Sequence, residues 1–465
     1  MRRISLSLRR VCEAIAMAIA LVGSVYAATP PDPNFTVYPI PGARGAVAGI
    51  TVGPDGALWF TTVNSIWRIT TRGVMTQYPL PDDGNFYSGG RFATDITAGP
   101  DGALWFTEVN AAKIGRITTD GTIAEFPLPA TDRAPVKIAV GSDGALWFTE
   151  FINTQGRIGR ITTDGVISEY AVAPCQGTCG RYPNGITSGP DGALWFTDLG
   201  DDRLHSITTE GVIRDYGLVA LNSYGYAPGD ITPGPDGALW FTGQGNTDAL
   251  GRITTSGGLT LFPLPIYPRP DYNGYNNLEP NSITVGPDGA LWFTAQRVNV
   301  LGRMTTQGDA TFYALPLPAN AGTASSITLG PDRALWIGSN GCIIRAVLAD
   351  TIPPHITLSA SPLRLWPSND RLAGVRVWGQ ITDLESGLLD RSIEFAVTDE
   401  YGEIQPTGHI VLDATGHYTF QVLLRASRRG WDKDGRRYMI RVSARDNAGN
   451  RGANWKAVIV PHDLR

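Results

Sequence analysis

Short apolar runs separated by turn residues fill most of the chain, and none has the spacing of an amphipathic helix. The phrase G-P-D-G-A-L-W-F recurs, with small changes, at intervals of 42 to 52 residues. Its tryptophans are Trp59, Trp105, Trp147, Trp195, Trp240, Trp292 and Trp336. Each unit holds four apolar segments, and Pro-Asp-Gly or Thr-Asp-Gly turns between them suit tight hairpins. This repeat predicts the four-stranded antiparallel blades of a β-propeller, with the tryptophans between blades.

The seventh unit lacks its fourth segment, because the chain runs into Pro353-Pro354 soon after Arg345. The missing pattern stands at the other end, in residues 35–41, F-T-V-Y-P-I-P. We therefore predict an all-β, seven-bladed propeller over residues 34–349, with the amino-terminal strand completing the last blade. Such closure would remove the exposed strand edges of an open array.

The repeat ends at residue 353, and alternating runs such as V-R-V-W and I-E-F-A-V predict a small β-sandwich over residues 353–461. This region resembles the immunoglobulin-like modules of secreted bacterial proteins, through Leu365-Trp366-Pro367 and the stretch D-N-A-G-N at 446–450. Asp432, Asp434 and Asp446 could bind calcium or simply form Asp-rich turns.

Residues 1–27 have the pattern of a secretory signal peptide: four arginines, an apolar run from Ala14 to Val22, and a V-Y-A cleavage site. We expect a secreted or periplasmic monomer without a transmembrane anchor, since no later apolar run is long enough to span a bilayer. The net charge of -5 gives no sign of a nucleic-acid partner.

Cysteine spacing adds one expectation about a loop. Cys175 and Cys179 lie in C-Q-G-T-C, and an oxidising compartment would favour a disulfide between them. Cys342 lies in an apolar strand and is expected to be a buried free thiol.

Candidate chemistry should lie on one rim of the propeller tunnel, where first strands begin and second strands end. Three neighbouring blades place acids there after W-F-T: Glu108, Glu150 and Asp198. They predict an acidic arc that could hold magnesium or calcium, with Lys137 and Asp230 nearby. The alternative is that acids at strand ends are simply solvated. His205, in a third strand, is expected to be an ordinary surface or partly packed residue.

Tyrosine and asparagine are frequent in the predicted rim loops. The candidates for binding a peptide or glycan are Tyr182, Tyr226, Tyr275, Asn184 and Asn281. Such side chains offer stacking and hydrogen bonds at modest entropic cost. The tyrosines could equally serve only to pack the loops.

The phrases G-P-D-G-A-L-W-F-T and I-G-R-I-T-T-D-G resemble the repeats of the virginiamycin B lyase, or streptogramin lyase, family. The resemblance covers about 315 residues. It implies a magnesium-dependent elimination that opens the ester of a cyclic peptide antibiotic, using a Glu-x-His motif and a Glu after W-F-T. Those positions fall on Glu279, Asn281 and Ala295, and a substrate-contacting His falls on Gly229.

An amide cannot act as the base, and a metal ion left with Glu279 alone would be held weakly. The sequence therefore favours a divergent member that binds an extracellular peptide or glycan. The alternative is a lyase or metal-dependent hydrolase with a rearranged acidic site, so whether the protein is an enzyme stays open.

Overall fold

The computed structural model describes residues 32–42, 45–81, 92–152, 155–174, 180–200, 202–217, 227–244, 248–265, 278–317, 322–350, 353–383, 387–413 and 415–462. These residues form two compact units, one built mainly from the chain before residue 345 and the other mainly from the chain after it. Both are antiparallel β-structures, and one short 3-10 turn, Asp390–Ser392, is the helical element found within the described ranges. No helix among these residues has the length and apolar character needed to cross a membrane.

The first unit consists of short strands. In chain order they are β1 (Asn34–Pro39), β2 (Ile50–Val52), β3 (Leu58–Thr62), β4 (Ser65–Ile69), β5 (Met75–Pro79), β6 (Ala93–Ala98), β7 (Leu104–Glu108), β8 (Lys113–Ile117), β9 (Ile123–Pro127), β10 (Ala134–Val140), β11 (Leu146–Ile152), β12 (Gln155–Ile161), β13 (Ile167–Ala171), β14 (Pro183–Ser188), β15 (Leu194–Asp198), β16 (Arg203–Ile207), β17 (Ile213–Gly217), β18 (Ala227–Pro233), β19 (Leu239–Gln244), β20 (Ala249–Ile253), β21 (Leu259–Pro263), β22 (Pro280–Val285), β23 (Leu291–Ala295), β24 (Val300–Met304), β25 (Ala310–Ala314), β26 (Ala324–Leu329), β27 (Leu335–Ser339) and β28 (Cys342–Val347).

These strands pair into seven four-stranded sheets. Six of them, β2–β5 through β22–β25, are consecutive meanders. The last has the order β1-β28-β27-β26, so the amino-terminal strand completes it as the sequence predicted. Beside that strand, the Ile40 N–H donates to the Gly341 carbonyl at 2.9 Å.

The motif tryptophans lie between neighbouring sheets. Trp105 is fully buried and packs on Leu146 and Phe148 of the next sheet. Its Nε1 donates to Asp101 at 3.1 Å, and the Arg116 Nε donates to the same carboxylate at 2.7 Å. Burial alone would raise the pKa of Asp101, but these two hydrogen bonds, a third from the Ala103 N–H and the charge of Arg116 together lower the pKa. The aspartate of Pro-Asp-Gly, predicted only to form a turn, therefore also links that turn to two strands, β7 and β8.

The same Asp-Trp-Arg arrangement recurs around the ring. It is centred on Asp55, Asp143, Asp236 and Asp332. The arginine of I-G-R-I-T therefore recurs together with P-D-G-A-L-W, because the arginine and the tryptophan both bond to the aspartate of that phrase.

The glycine of I-G-R-I-T makes room for the motif phenylalanine. Gly159 pairs with Phe148, and a Cβ on Gly159 would lie 2.1 Å from the Phe148 ring. Gly115, Gly251 and Gly302 stand in the same relation to their own phenylalanines. A side chain at this position therefore fits only where the phenylalanine ring is placed differently.

The second unit has eight strands: β29 (His355–Ile356), β30 (Ser359–Ser361), β31 (Leu372–Thr382), β32 (Glu394–Asp399), β33 (Thr407–His409), β34 (His417–Arg425), β35 (Arg436–Arg445) and β36 (Arg451–Val460). One sheet has the order β29-β31-β30 with β34 also on β31, and the other is β33-β32-β35-β36. Val375 and Val377 of the first sheet share one buried core with Tyr438 and Ile440 of the second. The predicted β-sandwich is therefore present, and its likeness to immunoglobulin modules stays a prediction.

Candidate functional site

The threonine of W-F-T joins neighbouring sheets at the rim, which we define as the starts of the first strands and the ends of the second strands. The β14–β15 pairing shifts between Pro183 and Ile186. At this irregularity the Thr197 hydroxyl accepts a hydrogen bond from the Gly185 N–H at 2.9 Å. The same hydroxyl donates to the Gly229 carbonyl of the next sheet at 2.6 Å. Equivalent bonds run from Thr107 to Val136, Thr149 to Asn184 and Thr242 to Asn281. The rim backbone is thus cross-linked from sheet to sheet.

The three acids of the predicted arc do not come together. Glu108, Glu150 and Asp198 are each fully buried. Side chains alternate along a strand, so Glu150 lies on the same face as Leu146 and Phe148, which pack against the neighbouring sheet. Among the described residues, the one group of three possible metal ligands contains none of these acids. Counting along the strand thus places these side chains between sheets, so the described structure does not support the predicted arc as a shared site.

Asp198 belongs to a buried network in the fourth sheet. Its carboxylate accepts from the Tyr182 N–H at 2.8 Å and lies 3.4 Å from the Arg181 guanidinium. His205, fully buried, bonds through Nδ1 to Asp215 at 2.7 Å, and its Nε2 lies 3.8 Å from Asp198. Burial lowers the pKa of His205, and Asp215 offsets this only in part. Burial thus favours the neutral form of this imidazole over the charged form.

The expectation of an ordinary surface or partly packed His205 is wrong. Its strand reads R-L-H-S-I where other repeats have I-G-R-I, so the histidine takes the glycine position. It pairs with Phe196 and stacks on that ring, with centroids 4.9 Å apart. The departure from glycine was the available signal that this sheet is specialised.

Glu150 belongs to a different cluster, in the third sheet. It pairs in register with Arg157, but both of its oxygens are buried without a hydrogen bond. Arg133 and Arg157 instead approach Glu169, at 3.1 and 3.7 Å. Burial and the Glu169 charge raise the pKa of Glu150 to about 7, against the opposing effect of the two arginines. The structure therefore contains a carboxyl that titrates near neutrality.

Charged side chains of three first strands meet in the tunnel. Lys137 of β10 lies 3.5 Å from Asp95 of β6, and these side chains are 23% and 15% exposed. Burial alone would lower the pKa of Lys137, but the charges of Asp95 and of Asp230, on β18, raise it. Asp230 itself accepts from the Ser282 hydroxyl at 2.8 Å. First strands thus face a common interior, and Asp95 is the member that sequence reasoning missed.

The residues at the positions that the resemblance assigns to the lyase site have other contacts in this structure. Glu279 forms an ion pair with Arg297 at 2.7 Å. The Asn281 amide donates to the Ser325 carbonyl of the next sheet at 2.6 Å. Ala295 is fully buried and supplies no ligand atom. A Cβ on Gly229 would lie 2.7 Å from the Thr242 hydroxyl, so this position is tight in the present arrangement.

Of the predicted binding residues, Tyr182 and Asn184 lie at the rim. The Tyr182 ring meets Phe151 edge to face, with centroids 5.9 Å apart, and the Asn184 carbonyl accepts from Thr149. Tyr226, Tyr275, Cys175 and Cys179 lie outside the described residues, so their roles and the disulfide stay predictions. Cys342 is a buried free thiol, as predicted.

The second unit brings one predicted calcium ligand together with other acids. Asp446 lies within 4.8 Å of Asp350 and Asp383, measured between ligand oxygens. Its carboxylate accepts from both the backbone and the amide of Asn450, each at 2.8 Å. Asp432 instead accepts from the Gly435 N–H at 2.9 Å. The predicted calcium set is therefore divided between two places, because Asp446 groups with Asp350 and Asp383, whereas Asp432 accepts a hydrogen bond from Asp434.

The sheets, their closure and the tunnel define a β-propeller, and comparisons with known proteins specify it further. The sequence profile of the virginiamycin B lyase family matches residues 28–177, 158–270 and 271–350. The chain belongs to this family. A search of curated proteins found no significant match.

Solved structures agree with the family. Virginiamycin B lyase from Staphylococcus aureus is 35% identical over 68% of this chain and 100% of its own, with a TM-score of 0.59. A catalytically inactive His-to-Ala variant of that lyase with quinupristin gives the same values. A streptogramin B lyase is 32% identical over 68% of this chain and 98% of its own, with a TM-score of 0.58.

Proposed function

We propose that this protein is a divergent family member that binds an extracellular peptide or glycan at the tunnel rim and does not perform the family elimination. One observation carries the proposal: the residues at the family's base and metal positions are committed to other contacts. Asn281 donates to Ser325, Glu279 pairs with Arg297, and Ala295 is buried and apolar.

The elimination removes a proton from carbon, so it needs a base whose pKa lies near the working pH. The Asn281 amide cannot accept that proton, and its NH₂ group already bonds to the next sheet. A magnesium ion would find one carboxylate, Glu279, neutralised by Arg297 at 2.7 Å. The residues present therefore do not fit the magnesium site that the family resemblance implies.

The tunnel and rim retain features that suit binding. Lys137 between Asp95 and Asp230 presents both signs of charge, which would match a ligand with amino and carboxyl groups such as a peptide. Tyr182 adds an aromatic side chain at the rim, held by Phe151. A glycan would use the same hydrogen-bonding groups and the ring face. Export of the chain, which such a ligand requires, stays a prediction.

The alternative is a lyase or hydrolase with a rearranged acidic site that uses magnesium or calcium. It would require Glu108, Glu150 and Asp198 to reach one substrate. All three are fully buried, and Glu150 and Asp198 face different partners. Nothing in the geometry favours this alternative over binding.

The reaction can be tested with quinupristin and magnesium, using liquid chromatography and mass spectrometry. Elimination gives a linear product of unchanged mass, whereas hydrolysis adds one water, so the two reactions are distinguishable. We expect no conversion, with the S. aureus lyase as positive control. Magnesium-dependent ring opening by this protein would contradict the proposal. The double variant Asn281→His, Ala295→Glu then asks whether this scaffold can still support the reaction.

Binding can be tested with a defined peptide library and a glycan array probed by the full-length protein. We expect ligands whose binding is lost in Lys137→Gln and weakened in Tyr182→Ala. Glu210→Gln, an exposed charge change in a hairpin turn, is the control. Ligands that bind equally well to all three variants would place recognition outside the tunnel and rim.

A further inference from the structure

The second unit contains an open cavity of about 430 Å³, a volume within the range of small-molecule sites. Four arginines line it, against two carboxylates from Asp370 and Glu403. The arginines are Arg425, Arg428, Arg429 and Arg436. The chain as a whole carries a net charge of -5, so this concentration of positive charge departs from the rest of the molecule.

Arg436 forms a fixed wall of this cavity. Its side chain is 1% exposed, and its guanidinium donates to both oxygens of Asp399 and to Glu403 at 2.9 Å. It also lies 4.7 Å from the Tyr401 ring centroid, as Arg429 does. The charge of Arg436 is therefore compensated, and the residue positions the aromatic ring rather than supplying a free cation.

Arg425 and Arg428 are much less compensated. Arg425 approaches Asp370 at 3.7 Å, and both side chains are largely exposed, so the pair contributes little. Arg428 donates to the backbone carbonyls of Arg429 and His462, at 3.4 and 3.2 Å, and its Nε is buried without a hydrogen bond. Two guanidinium groups at this cavity can thus accept an anionic partner, and the fork of donors suits carboxylate or sulfate.

An exposed indole stands beside the arginines. Trp431 is 71% exposed, its ring lies 6.2 Å from that of Tyr401, and the Arg429 guanidinium lies 5.9 Å from it. A pyranose ring has one flat face of C–H groups, which packs on an aromatic ring, and polar groups at its edge. An acidic sugar would match both the indole and the arginines, whereas an acidic peptide would use the arginines alone.

We propose that this cavity is a binding site for an acidic saccharide, one whose sugar rings carry carboxylate or sulfate groups. Arg425 and Arg428 bind the anionic group, Trp431 packs against the ring, and Ser427 and Asn369 at the wall offer hydrogen bonds to hydroxyls. The site shares no residue with the tunnel, so either proposal can fail without the other.

The test is isothermal titration of the full-length protein with polygalacturonate, dextran sulfate, neutral dextran and polyglutamate. We expect an acidic polysaccharide to bind and neutral dextran not to bind, with affinity falling as salt is raised. The double variant Arg425→Gln, Arg428→Gln should weaken binding about tenfold or more, because it removes charge-assisted hydrogen bonds. Trp431→Ala should weaken binding several-fold. The preferred polymer distinguishes carboxylate from sulfate.

Arg391→Gln is the matched control. Arg391 lies in the turn whose Ser392 hydroxyl bonds to the Arg445 carbonyl, at the far end of β35 from Arg436, about 30 Å away. Circular dichroism checks that the variants fold, and Arg425→Gln alone, at a side chain 45% exposed, serves if the double variant does not. No binding to either acidic polysaccharide, equal binding to polyglutamate, or equal loss in Arg391→Gln would overturn the proposal.

Discussion

Replacing Glu150 by glutamine should remove a pH dependence of stability that the buried cluster creates. The carboxyl is fully buried, neither oxygen has a hydrogen bond, and Glu169 adds a like charge nearby. Ionising Glu150 in the folded protein is therefore unfavourable, whereas in the unfolded chain it ionises freely. Glutamine keeps the size of the side chain and cannot ionise.

The magnitude follows from the shift in pKa, from 4.5 to about 7. Because the folded pKa is the higher one, the stabilisation is complete below pH 4.5 and is lost as pH rises through 7. At about 1.4 kcal/mol per pKa unit, the free energy of unfolding should fall by about 2 to 3 kcal/mol between pH 5 and pH 8 from this group alone. The Glu150→Gln variant should lose that part of the pH dependence.

Urea unfolding followed by tryptophan fluorescence at several pH values measures the effect. The control is Glu210→Gln, an exposed glutamate whose pKa is lowered by hydrogen bonds from Thr208 and Thr209, so it does not titrate between pH 5 and pH 8. Infrared spectroscopy should also show a protonated carboxyl band at pH 5 that disappears near pH 7 and is missing in Glu150→Gln. Identical pH profiles for wild type and Glu150→Gln would refute this account of the cluster.

Three further predictions concern the repeat itself. Thr197→Val should destabilise the protein by about 1 to 3 kcal/mol in urea unfolding, since it leaves a buried N–H and a carbonyl without their partner; the exposed Thr76→Val should have little effect. Gly159→Ala should lower the melting temperature by several degrees, because its Cβ would overlap the neighbouring ring, whereas Gly430→Ala, with nothing within 4 Å, should not. Asp101→Asn should reduce the fall in the free energy of unfolding below about pH 4, since the lowered pKa of Asp101 means that its stabilising contribution is lost as pH falls. The same dependence on acid pH in wild type and variant would contradict this.

The propeller could be predicted from the sequence because its signals are local and repeated. The tryptophan spacing, the turn residues and the displaced F-T-V-Y-P-I-P segment each fix one feature, and β1 lies where that segment predicted. The role of the motif threonine was also visible in principle, since it follows W-F in six units. What it bonds to depends on the irregular pairing of the first two strands, which no residue pattern states.

The chemistry of the rim could not be predicted to the same degree. Strand alternation places Glu150 and Asp198 between sheets, but the repeat alone does not say which face is open to the tunnel. Arg133, whose charge acts on Glu150, and Arg181, which lies beside Asp198, come from connections that vary from unit to unit, so no periodicity reveals them. The repeat predicted correctly that these acids lie at the ends of the second strands. It did not predict that their side chains are buried.

The pairing of β1 with β28 has a consequence for how the chain reaches its native state. Its contacts join segments about 300 residues apart, and bringing such distant parts together costs about 5 kcal/mol of chain entropy on a simple polymer estimate. Strand β1 is synthesised first, and it can pair only after β28, the last strand of the propeller, has been synthesised. A molecule cut or stalled before residue 342 would keep both edges open, available to pair with another chain.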